Sequence, residues 1–263
     1  MVIDIDKVLK GESFRRGNST FPSAEEILSP YLQATEDVVQ EYRVNVISSK
    51  ETVIESQGDL IETINERPVY TRVHIDGILK PEYQLTHTNE GYSSVISTLY
   101  ALDIQTPIMK LYTGFERHAC LNTSIFNPRH ILEKKFTDPD FNIIYQQIPT
   151  FVENQEIYKR EYENALDNLN SIRYAGEELF TVMGKLAFKV ANKPGMQNSF
   201  NNAVRFLRTN QDVNNIKNIY FNPNWETQGY SAFDLYQSLT ATLSNKGNKE
   251  PEKIYQAYKL IVA

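Results

Sequence analysis

The hydrophobic period of this chain changes once, near Pro149, and that change restricts its fold more than any other feature. Upstream, apolar residues alternate with polar ones. Tyr42, Val44 and Val46 interleave with Arg43, Asn45 and Ile47, and Val69, Thr71, Val73 and Ile75 interleave with Tyr70, Arg72, His74 and Asp76. A spacing of two sends alternate side chains to opposite faces of a strand, so each run reads as a strand with one face in the core. Asp76-Gly77 and Asn89-Glu90-Gly91 read as turns on either side of a strand near Tyr83–Thr88. Tyr92–Leu102, Pro107–Thr113 and Arg117–Ile125 read as further strands, although Tyr92–Leu102 suits a helix equally well.

Downstream, the apolar residues recur at three and four. Ile157, Tyr158, Tyr162, Ala165, Leu166 and Leu169 form one helical stripe, and Leu179, Val182, Met183, Leu186 and Val190 form another that stops at Asn192-Lys193-Pro194-Gly195. Three more helices are marked by Ala203–Leu207, Phe233–Leu243 and Ile254–Ile261. Strands first and helices afterwards predict an α+β fold, a mainly antiparallel sheet followed by a group of packed helices. Residues 1–30, punctuated by Gly11, Gly17, Pro22 and Pro30, read as an irregular arm in which Ser23, Glu25 and Glu26 could start one short helix. Residues 31–263 read as one domain, sheet-rich over 40–149 and helical over 150–263.

No run of about 18 apolar residues is present to span a bilayer. The acidic start MVIDIDKVLKGESFRR is unlike a secretory signal, and a single cysteine cannot close an internal disulfide, so a cytoplasmic location is expected. The formal net charge of −6 speaks against a protein that coats nucleic acid over its whole surface. That total hides segregation. Residues 1–66 hold 6 Lys/Arg against 13 Asp/Glu, residues 181–220 hold 6 against 1, and residues 107–136 hold 5 against 2.

Several chemistries can be weighed against these residues. His74 with Asp76, and His118 with Cys120, would share strand faces, and with His87 they offer imidazole, thiolate and carboxylate ligands to zinc or iron. Pairs at i,i+2 also arise by chance, and no CxxC, HExxH or HxH pair supports them, so no metal or other cofactor is expected. Cys120 beside His118 or His87, oriented by Asn122, could serve as a nucleophile, but a cysteine between Ala119 and Leu121 is more often a small buried hydrophobe. Asp138, Asp140, Glu153 and Glu156 lack the spacing of a nuclease site, and no GxxxxGK[ST], GxGxxG or GxSxG element occurs. Single-strand nucleic-acid binding asks only for rings to stack on bases beside cations for phosphate. Tyr70 and Arg72, then Lys110, Tyr112, Phe115 and Arg117, then Arg129, Lys134 and Lys135, and finally Arg205 and Arg208 repeat that mixture.

Leu85–Val95, LTHTNEGYSSV, and Met109–Phe126, MKLYTGFERHACLNTSIF, resemble the DUF932 family of phage- and plasmid-encoded proteins at His87, Gly91, Arg117, Cys120 and Asn122. Asn222–Asn245 resembles the family's closing helix at Trp225, Tyr236 and Thr240. The chain departs from the family pattern at Thr86, Asn89, His118 and Ala119. The resemblance implies a phage or mobile-element origin and carries no enzymatic activity with it. The leading expectation is therefore a non-enzymatic single-stranded DNA-binding or annealing accessory. A protein-binding module comes second, either a host-defence inhibitor or a virion component, and for it the acidic first 66 residues could mimic DNA charge or dock on a basic host or phage partner. A metal- or thiol-dependent enzyme comes third. The sequence leaves self-association open.

Overall fold

The computed structural model describes residues 4–51, 68–85, 91–117, 122–137, 143–193, 195–208, 222–244 and 250–262. In chain order the elements are α1 (Ile5–Leu9), β1 (Arg15–Arg16), β2 (Ser19–Thr20), α2 (Ala24–Thr35), β3 (Val39–Glu51), β4 (Pro68–Leu79), β5 (Tyr92–Ala101), β6 (Ile108–Arg117), β7 (Thr123–Ser124) and β8 (Ile131–Lys135). They continue with α3 (Ile143–Gln146), α4 (Ile148–Glu153), α5 (Gln155–Ser171), β9 (Arg173–Tyr174), α6 (Gly176–Ala191), α7 (Gln197–Arg208), β10 (Tyr230–Ser231), α8 (Ala232–Thr240) and α9 (Pro251–Val262). The fold is α+β, with an antiparallel sheet in the N-terminal half and helices in the C-terminal half. No helix among the described residues is long and apolar enough to cross a membrane.

The main sheet runs β3-β4-β5-β6-β7, with β8 also paired to β6. The chain divides into two compact units, one of residues 1–82, 95–113 and 131–155, the other of residues 83–94, 114–130 and 156–263.

In the first unit the expected irregular arm is ordered. Ser23 and Glu26 close a reciprocal capping box, which satisfies orphan N–H groups at the start of α2 and lets that helix run twelve residues through Pro30. Val8, Ile27, Leu28 and Tyr31 are fully buried, so α1 and α2 contribute to the core rather than lying outside it. Asp76-Gly77 is not a turn either. It lies inside β4, where a Cβ on Gly77 would stand 2.7 Å from the Tyr31 hydroxyl, and that hydroxyl donates to the Ile96 carbonyl at 2.7 Å. Glycine is needed there for close approach. All ten residues of β5 are buried, and β5 is a strand. β4 is buried on both faces as well, with only Pro68 and Arg72 partly open. The polar set His74 and Asp76 therefore shares the interior with Val73 and Ile75, which the alternating pattern alone did not foretell.

The second unit is built around rings and one buried helix. Tyr162 of α5 lies 4.0 Å from Phe115 and 4.9 Å from Phe126 between ring centroids. α8, started by a capping box between Ser231 and Asp234, buries every residue except Asp234. Gly229, at φ +64°, lets β10 approach β9, since a Cβ there would come within 2.1 Å of the Tyr174 carbonyl oxygen.

Candidate functional site

Rings can stack on a base only where a face is open. Tyr112 on β6 has no exposed surface: its hydroxyl meets His74 Nε2 at 2.5 Å and its ring stacks on the imidazole at a centroid distance of 6.0 Å. His74 Nε2 also lies 3.2 Å from Asp76 Oδ1, and the Ser97 hydroxyl donates to that same oxygen at 2.6 Å. This buried polar chain is what a sheet covered on both faces requires, because polar groups removed from water need partners inside. Phe115 is 2% exposed and Tyr70 is 9% exposed. The expectation that Tyr70, Tyr112 and Phe115 stack on bases does not hold, and these rings are core.

The cations of the sheet are largely engaged. Arg72 Nε lies 2.5 Å from Asp103 Oδ1, and although burial works the other way, this hydrogen bond and the guanidinium charge hold the Asp103 carboxyl below its ordinary pKa. Lys110 Nζ pairs with Glu133 Oε2 at 2.8 Å, and β8 places Glu133 directly opposite Lys110 on β6. Arg117, half-buried, donates its backbone N–H to the Asn122 carbonyl at 3.0 Å. Lys134 is half-buried, while Lys135 on β8 and Arg129 in the short turn Pro128–His130 are exposed. Arg205 and Arg208 are exposed on α7. Arg72, Lys110, Lys134 and Lys135 belong to the first unit, and Arg117, Arg129, Arg205 and Arg208 to the second.

Of the metal and thiol candidates, His87, His118 and Cys120 lie outside the described residues. His74 and Asp76 do converge, but they are joined to Tyr112 and Ser97, and no group of three or more His, Cys, Asp or Glu side chains among the described residues could hold a metal ion.

Residues outside the sequence expectations define the open chemistry of the second unit. Phe180 and Phe188 on α6 are 63% and 80% exposed. Eight residues apart on a helix, they lie within about 80° of one another. The opposite side of α6 buries Leu179, Leu186 and Val190. Residues 179–208 contain Lys185, Lys189, Lys193, Arg205 and Arg208 and no acid at all. The signal was present in the sequence, since Phe180 and Phe188 fall off the Leu179–Val190 stripe. Beside them, α6, α7 and the turn through Trp225 enclose a cavity of about 510 Å³.

A second concavity of about 370 Å³ has a mixed lining, Asn127, Glu161, Asn164 and Asn168 together with Phe126, Ala165 and Tyr258. Buried His130 meets one of these residues, its Nε2 3.1 Å from Glu161 Oε2 and its ring 4.4 Å from that of Tyr158. Burial lowers the His130 pKa, and the neighbouring Glu161 carboxylate opposes but does not cancel that shift.

Three positions that the sequence singled out, Asn122, Tyr236 and Thr240, are held in the packing of this unit. Asn122 Nδ2 donates to the Gln237 backbone carbonyl at 3.1 Å and stands 3.2 Å from its Oε1, the Tyr236 hydroxyl accepts from the Ile125 N–H at 3.0 Å, and the Thr240 hydroxyl donates to the Gln237 carbonyl. No family model matches the chain, and neither a curated protein nor a solved structure matches it.

Proposed function

We propose that the protein binds single-stranded nucleic acid without turning it over, through the surface of α6 and α7 in its second unit. One observation carries this reading: two phenylalanines with open faces, Phe180 and Phe188, stand in a stretch of 30 residues, 179–208, that has five cations and no acid. An open ring supplies a sequence-tolerant stacking platform, and nearby cations replace the counterions of the phosphates. The engaged cations Arg72 and Lys110 have no part in it, whereas Arg205 and Arg208 keep the role expected of them. A phage or mobile-element origin, supported by the resemblance at Leu85–Val95 and Met109–Phe126, would set this activity in the cytoplasm of a host cell. The test is a titration of a fluorescent 20-nucleotide oligo(dT) across a salt series. Affinity that falls linearly in log–log form with salt, and that weakens in Phe188→Ala, supports the reading. No measurable affinity at low salt overturns it, and the same exposed face then belongs to a protein partner with an acidic surface.

A further inference from the structure

Among the described residues, the cavity in the second unit has mostly apolar walls and a single charge. Leu179 and Met183 from α6 and Val204 and Leu207 from α7 line it. Trp225 closes one side, edge-to-face with Phe180 at 5.5 Å and 85°. The Tyr230 hydroxyl, which also lines it, is already committed: it donates to the Leu207 carbonyl and accepts the Asn222 N–H at 3.1 Å. That leaves Arg208, the only charged residue of the lining, with no hydrogen-bond or ion-pair partner among the described residues.

We infer that this cavity binds a small aryl-alkyl carboxylate, its ring against Trp225 and Phe180 and its anionic group on the Arg208 guanidinium. Size, polarity and charge each favour this class. A volume of about 510 Å³ lies in the range of small-molecule pockets. Apolar walls reject a ligand with many polar groups, because each would be desolvated without a partner. A planar guanidinium in the lining selects a carboxylate, which it can meet with two parallel hydrogen bonds. The inference shares Phe180 and Arg208 with the proposed nucleic-acid surface but rests on the cavity, so a carboxylate can bind there whether or not oligo(dT) binds.

Trp225 is the only tryptophan of the chain, so it reports on this cavity alone. The experiment titrates the intact protein with 4-(4-bromophenyl)butanoate, a contact quencher of indole, and separately with its uncharged primary amide. The expected result is saturable quenching of Trp225, with the carboxylate at least tenfold tighter than the amide. Arg208→Gln should bring the two within twofold of each other. Val204→Phe, which adds bulk to the lining, should abolish saturation by both, with folding checked by circular dichroism. Quenching that never saturates, or a carboxylate preference that survives Arg208→Gln, overturns the inference. If Val204→Phe fails to fold, the Arg208→Gln comparison decides alone.

Discussion

Tyr112 stands two residues from Lys110 on β6, and Phe188 stands three from Lys185 on α6; in sequence the two ring-and-cation pairs look alike. In the structure they are opposites. Tyr112 is fully buried and Phe188 is 80% exposed. The difference comes from how each element meets its neighbours. A strand covered on both faces leaves no outward set of side chains, so even its polar residues must find partners inside. A helix at a surface buries one stripe and frees the rest of its circumference. A ring beside a cation is therefore an open surface on α6 and core packing on β6.

The largest effect expected from this contrast is on stability. Tyr112→Ala removes a fully buried ring and the hydroxyl that meets His74 Nε2, and should cost about 3–5 kcal/mol in denaturant unfolding. Phe188→Ala should change stability by less than about 0.5 kcal/mol. Equal destabilisation at the two positions would refute the contrast.

Binding should invert the order. Phe188→Ala should weaken oligo(dT) binding by about 1–3 kcal/mol if one base stacks on that ring. Tyr112→Phe, measured on folded protein, should leave binding unchanged; weaker binding there would return the interface to the sheet.

A smaller effect is expected from charge. Replacing Lys185 and Arg205 together by glutamine should reduce the slope of log affinity against log salt by about 0.7 for each single-strand phosphate that is no longer neutralised. Lys110→Gln, which breaks the ion pair with Glu133 instead, should not change that slope. Identical slopes in all three proteins would remove the cations of α6 and α7 from the interface.

The smallest effect is a pH dependence belonging to His130. Its folded pKa is lowered, chiefly by burial and against the pull of Glu161, so the unfolded chain takes up the proton more readily. Its contribution to stability is complete above the unfolded value of about 6.5 and is lost as pH falls from there through the folded value. The melting temperature should decline more steeply below about pH 6.5 in the parent protein than in His130→Gln. Parallel curves would show that His130 is already neutralised by other means.

Much of the fold was legible because periodicity is a local property. The change near Pro149, the stripe Leu179–Val190 and the strand at Val69–Ile75 all follow from residue spacing and reappear as α6 and β4. Less legible were features set by distant neighbours. Asp76-Gly77 has the composition of a turn, yet the approach of Tyr31, 46 residues earlier than Gly77, makes it mid-strand. Gly17, Pro22 and Pro30 suggest an irregular arm, yet the Ser23–Glu26 box and the burial of Ile27, Leu28 and Tyr31 hold a helix through Pro30.

The candidate site divides in the same way. Residue identity and spacing were enough for the α+β order, the cationic run of residues 179–208 and the absence of any acid within it. They did not say which rings are open, that Lys110 is paired with Glu133, or that Arg208 and Trp225 line one cavity; packing in three dimensions settled those points. Exposure and pairing depend on which surfaces come together in space, and no pattern along a single strand or helix contains that information.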